Sequence, residues 1–311
     1  MNIFVTFGFI RDINIMNDLT LKDFFTSISK FNNIKFYDEG HAYYIGDKQV
    51  VSVTGLLERF KNKFDTGLEL NKKSEKDGVP KEVLRAEWDY KREHALYEGV
   101  SLHRYLENIF ANKDVLEEKN NPHIRFDQIE KSYFIMKKQA ENFYKDYILS
   151  GKLIPIKSEF VVGNENEETA GQMDQLFWNN EVNALQVWDW KTNGKFRRFS
   201  EWGNKYKHCL KHLDECEMNG YSIQLKSYKY LFEKTTGLKL HNDCFIVWFN
   251  ENNHNYEVIK CIDLDKEVAD VFEYKRNNPK EFTPRYFERP KMPSVEQAVS
   301  FGNLLDLSSY L

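Results

Sequence analysis

The sequence predicts an α/β protein built on a central mixed β-sheet flanked by helices, with a β-hairpin and a helical region ahead of it. Three observations point there. Apolar residues recur at helical spacing over residues 80–110 and again over 127–149. Three short β-prone runs follow at 158–162, 171–178 and 185–190, separated by polar turns at 163–169 and 179–183. A helix over about 222–234 then leads to two more strands, 243–249 and 256–262.

Each element has its own local reason. Residues 36–53 read as a hairpin, with Phe36-Tyr37 and the run from His41 to Ile45 turning at Gly46-Asp47 into Gln49 to Val53. Thr54 is the expected cap of a short helix over 55–60. Gly151 closes the helical region, and short turns make the three following strands an antiparallel meander. Gly237 stops the helix after them. A short helix is expected at 295–305, beyond Pro290 and Pro293. The chain divides into an N-terminal extension (1–60), a helical region (61–150), an α/β core (151–265) and a C-terminal tail (266–311), all within one unit.

Composition bounds the function. With 41% hydrophobic residues, 24 Phe, 17 Tyr and 6 Trp, the 311 residues can fill a sizeable core. No apolar run approaches a membrane span. The apolar opening lacks a basic leader and a cleavage site, so a cytoplasmic location is expected. Cys209, Cys216, Cys244 and Cys261 lack metal-binding spacing and read as reduced thiols. A net charge of −4 excludes a global basic field, so any nucleic-acid contact needs a local patch. Residues 191–211 offer one: Lys195, Arg197 and Arg198 stand among seven basic residues against the single acid Glu201. Phe196, Phe199, Trp202 and Tyr206 are interleaved with them, a mixture suited to phosphates and unpaired bases. A solvated loop fits the same composition.

The chemistry concentrates on Asp174 and on Asp189-Trp190-Lys191. Strand alternation puts Leu185, Val187, Asp189 and Lys191 on one face, so two charges end a face that begins as core. Asp174 shares a face with Gln172 and Leu176 on the neighbouring strand. Two carboxylates buried together need a cation, for which Mg2+ is the natural candidate. Glu159, at the head of the preceding strand, is a further candidate ligand. Lys191 is placed to orient or deprotonate an attacking water and offset charge on a phosphate. On the helix before the strands, His103 and Glu107 share a partly apolar side with Val100 and Phe110. His103 is either a ligand or a satisfied core histidine. Gln224 interrupts the apolar stripe of Tyr221, Leu225, Tyr228, Leu231 and Phe232, and its amide needs partners in strand backbone, ordinary main chain or substrate.

Taken together, Gly99-x-x-x-His103-x-x-x-Glu107, Glu159, Gly171-x-x-Asp174, Asp189-x-Lys191 and Gln224-x-x-x-Tyr228 resemble the motif series of the PD-(D/E)xK nucleases, in the RecB-like exonuclease branch. Residues 41–57 resemble the segment ahead of the core in phage-type and mitochondrial genome maintenance exonucleases. The resemblance implies a restriction-endonuclease-like core. It implies His103, Asp174, Asp189 and the Trp190 carbonyl as ligands of Mg2+ or Mn2+, Lys191 as the catalytic lysine, and Gln224 and Tyr228 as supports or DNA guides. Met173 stands where the signature often has proline. With no cysteine before Cys209, the iron–sulfur cluster of some relatives is not expected.

No phosphate-binding loop of the Gly-x-x-x-x-Gly-Lys-[Ser/Thr] type occurs, so no nucleotide cofactor is expected, and any helicase or recombination partner would be separate. The Asn-, Lys- and Ile-rich composition suits an AT-rich genome such as a phage's, which would place the protein in a host cytoplasm. The expected activity is a metal-dependent DNA exonuclease entering from single-stranded ends, in replication, recombination, repair or degradation. A restriction-like or structure-specific endonuclease and a degenerate DNA-binding protein are the alternatives.

Overall fold

The computed structural model describes residues 21–111 and 131–288. Among the described residues, eight strands form one mixed sheet. The α/β class, with helices on both faces of this sheet, is as expected and consistent with a restriction-endonuclease-like core.

The N-terminal part of the sheet is β1 (Ile34–Tyr37), β2 (Ala42–Ile45) and β3 (Lys48–Ser52), and the expected turn at Gly46 adopts a φ of 58°. Ser52, not Thr54, caps the next helix, α2 (Val53–Glu58): its hydroxyl accepts from the Gly55 N–H at 2.9 Å. The extended backbone of Ser52 puts its oxygen over the first turn, whereas Thr54 is already helical. Ahead of β1 lies α1 (Leu21–Ile28), and after α2 come α3 (Thr66–Asp77), α4 (Lys81–Phe110) and α5 (Lys131–Phe143). A π-helical turn, Tyr144–Leu149, follows α5 and ends at Gly151, whose φ is 75°.

The meander is present as β4 (Leu153–Asn164), β5 (Thr169–Asn179) and β6 (Ala184–Lys191), each antiparallel to the next. β4 begins earlier than its apolar pattern suggested, because Pro155 and a register shift between Pro155 and Lys157 mask its first half. Glu159 therefore lies within the strand and not at its head. α6 (Glu217–Thr236) crosses over to β7 (Phe245–Trp248), which pairs parallel with β6; β8 (Glu257–Lys260) returns antiparallel. α6 starts five residues before 222 because its first turn, with Asn219 and Gly220, has no apolar rhythm. Gly237 ends it with a φ of 80°. The segment assigned to a tail begins with a packed helix, α7 (Asp265–Asn277), which buries Val268, Val271 and Phe272. The helix expected at 295–305 lies outside the described residues.

Alternation along the strands sorts most of the core into two clusters, with a smaller third of Tyr43, Ile45, Val50 and Ala170 at the hairpin. Leu176, Leu185, Val187 and Ile246 join the cluster with Leu56 of α2, Leu225 of α6 and Phe272 of α7. Phe177, Trp188, Trp190 and Val247 join the one with Leu102 and Phe110 of α4 and Phe143 of α5. Among the described residues, no helix is long and apolar enough to cross a membrane.

Candidate metal centre

β5 positions the first carboxylate through an unusual sharing of its edges. β4 runs along one edge from Thr169 to Asn179. The opposite edge pairs with β3 at Thr169 and Ala170 and with β6 from Gln175 onward. Residues 171–174 are thus left between two partner strands on that edge. The end of β6 is tied across this gap by a side chain: the Trp190 N–H donates to Asp174 Oδ2 at 2.8 Å. Gly171 at the start of the gap is packed tightly, since a Cβ there would lie 2.6 Å from the Tyr228 ring and 3.1 Å from Val53.

Two further groups converge on Asp174. Ser158 pairs with Gln175 and Phe160 with Met173, so Glu159 falls opposite Asp174. Glu159 has a φ of 47°, a left-handed conformation that costs a non-glycine residue roughly 1–3 kcal/mol. Gln172 Nε2 donates to Glu159 Oε2 at 2.6 Å, which fixes the carboxylate's direction. From α4, His103 Nδ1 comes within 3.7 Å of Asp174 Oδ2 and 3.8 Å of Glu159 Oε1. One potential ligand atom from each of His103, Glu159 and Asp174 lies within 4.8 Å of the others. Burial disfavours a charged His103, but the carboxylates of Asp174 and Glu159 outweigh it and raise the imidazolium to about 9.

Asp189 is 1% exposed, and its Oδ2 is ion-paired with the Lys191 ammonium. Burial, and then the charge of Asp174, raise its carboxyl well above the usual range, with Lys191 opposing. Burial pulls the Lys191 ammonium down, but Asp189 and Asp174 more than offset it and hold it above its ordinary value. Breaking such a buried pair by removing one partner costs about 3–5 kcal/mol, so each group depends on the other. The Lys191 ammonium also sits 4.9 Å from the centre of the Tyr221 ring. Asp189 thus adjoins Asp174 but is not one of the three residues whose ligand atoms converge within 4.8 Å. One imidazole and two carboxylates, with a third carboxylate beside them, suit a divalent metal ion.

No family model matches this chain. No curated protein matches it either. Among solved structures it is similar to a protein from Eubacterium rectale described as a putative exonuclease, at 15% identity over 63% of this chain and 77% of that one, with a TM-score of 0.37. It is also similar to a protein designated SSO0001, at 12% identity over 86% of this chain and 87% of that one, with a TM-score of 0.29. Function therefore has to be read from the residues of the site.

The other residues singled out in the sequence fall around this centre in different ways. Trp190 buries its ring in the cluster under α4 and α5 while its N–H serves Asp174. Glu107 is half-buried one turn beyond His103 and outside the group of three. Gln224 finds its partner in neither strand backbone nor ordinary main chain: its Nε2 donates to the Tyr228 hydroxyl at 2.8 Å. Tyr228 in turn lies against Gly171, on the strand that carries Asp174.

The basic segment carries less free charge than its composition indicates. Arg197 is ion-paired with Glu217, Arg198 with Glu257 and Lys205 with Asp214, three acids that lie outside the local charge pattern. Tyr206 is a core residue and Phe196 packs on Tyr221 and Trp248, whereas Phe199 and Trp202 are exposed, at 68% and 82%. Sequence reasoning placed Tyr221 only in the apolar stripe of α6 and did not connect it to Lys191. The signal was its position one helical turn before Gln224, on the side that meets the end of β6.

Proposed function

We propose that this chain is a divalent-metal-dependent deoxyribonuclease of the PD-(D/E)xK type, in its RecB-like branch, acting as an exonuclease on single-stranded ends. The observation that carries the reading is the meeting of His103, Glu159 and Asp174 within 4.8 Å, beside the buried Asp189–Lys191 pair. In this reading His103, Asp174, Asp189 and the Trp190 carbonyl hold Mg2+ or Mn2+, with Glu159 as a direct or water-mediated ligand. A bound ion supplies Lewis-acid polarisation of a phosphate oxygen and neutralises the clustered carboxylates. The chain's own residues do the rest. Gln172 and the strained backbone hold Glu159, the Trp190 N–H holds Asp174, and the Tyr221 ring offers its face to the Lys191 ammonium. Lys191 then orients the attacking water and offsets charge building on the phosphate.

The test uses linear single- and double-stranded DNA, labelled at either end, and a covalently closed circle, each with Mg2+, Mn2+ or EDTA. Metal-dependent shortening of linear single strands, with the circle spared, is the expected result. Cutting of the circle at a comparable rate would move the assignment to an endonuclease. Metal-independent cleavage would overturn the metal-dependent assignment, and no cleavage at all would remove the nuclease reading.

A further inference from the structure

Most of the cations able to hold a nucleic-acid strand lie outside the basic segment of the sequence. A groove of about 350 Å3 opens between the β2–β3 hairpin, the end of α2, the loop between β6 and α6, and residues 283–285. Arg59, Lys61, Lys63, Lys207 and Arg285 line it, and Glu58 is the one carboxylate among the described residues of its lining. In a chain of net charge −4 this is a marked local excess of positive charge.

These cations are brought together from distant parts of the chain and held there. Lys61 pairs with Glu58, and Lys207 Nζ donates to the Lys61 carbonyl at 2.7 Å. Arg285 is carried in by a strap zipped onto the hairpin: Gln49 Nε2 donates to the Arg285 carbonyl at 2.7 Å, and the Phe287 N–H to Gln49 Oε1 at 3.2 Å. The Phe287 ring fills the space where any side chain at Gly40 would stand, which locks the strap. Among the described residues, the side chains of Arg59, Lys63 and Arg285 form no ion pair. Like charges gathered without counter-charge repel one another, and a polyanion relieves that cost. The loop that supplies Lys207 also presents the exposed rings of Phe199 and Trp202, which offer faces for unpaired bases.

We propose that this groove binds the phosphodiester backbone of single-stranded DNA, with Arg59, Lys63 and Arg285 as the principal phosphate contacts. The inference rests on the nuclease reading of the metal centre and adds a binding track to it. The groove and the centre are joined through the sheet, because β3, whose residues 49–52 line the groove, pairs with β5, the strand of Asp174.

The experiment measures binding of a fluorescein-labelled single-stranded oligonucleotide by anisotropy, in EDTA, across a salt series. The triple variant Arg59→Ala/Lys63→Ala/Arg285→Ala should bind at least about tenfold more weakly, with a salt slope shallower by about 2. Arg59→Lys/Lys63→Arg/Arg285→Lys should restore the slope, which a purely structural loss would not allow. Lys195→Ala/Arg197→Ala/Arg198→Ala should change the slope less, because two of its cations are already paired. If the first variant keeps the wild-type slope while the wild type cleaves DNA, the groove assignment falls and the nuclease reading stands. A wild type that neither binds nor cleaves DNA would overturn both.

Discussion

His103 holds, as a proton, the positive charge that Asp174 and Glu159 call for. Its imidazole is 3.7 and 3.8 Å from their oxygens, and they raise it to about 9 against the opposing pull of burial. Removing the Asp174 charge removes the largest single favourable contribution and leaves Glu159 to oppose burial without it. In EDTA, an NMR titration should therefore find His103 protonated up to about pH 9 in the wild type and shifted to lower pH in Asp174→Asn. An unshifted histidine would mean that the two side chains are not neighbours in solution. At this scale the sequence was most legible where one strand carries the information. Asp189 and Lys191 end a buried face by simple alternation, and the structure pairs them. It was least legible where a partner is remote: Glu217 and Glu257 lie 20 and 59 residues from Arg197 and Arg198, beyond the reach of any local charge count.

At the scale of elements, the site depends on β5 having β3 and β6 on one edge with a gap between them. Gly171 lets the Tyr228 ring close over the start of that gap. Gly171→Ala places a methyl 2.6 Å from the ring and 3.1 Å from Val53, and should destabilise the fold by about 1–3 kcal/mol in urea denaturation. An unchanged midpoint would show that the ring moves aside freely. The apolar rhythm that revealed α4, β5 and β6 failed where other signals interrupt it. Pro155 concealed the first half of β4, and with it the mid-strand position of Glu159. The polar first turn of α6 shortened its expected span. α7 was readable in the spacing of Val268, Val271 and Phe272, but the many charges around them made the segment look like a tail.

Over the whole molecule, the sheet separates two apolar clusters and brings α4 and the β4–β6 meander together at the carboxylates. The class of fold followed from element order, because helices before a three-stranded meander and a helix crossing to two more strands leave few arrangements. The joining of β3 to β5, and the groove it creates with the C-terminal strap, could not be read locally, since those contacts span more than a hundred residues. The proposed metal-dependent phosphodiesterase activity depends on this convergence. The most direct measurement is the initial rate of nucleotide release from end-labelled linear single-stranded DNA, by the wild type and by Asp174→Asn and Lys191→Met, with Mn2+ or EDTA. Release by the wild type only with Mn2+, and a loss of at least about a hundredfold in each variant, is the predicted result. Equal rates in the wild type and the variants, or release that persists in EDTA, would contradict it.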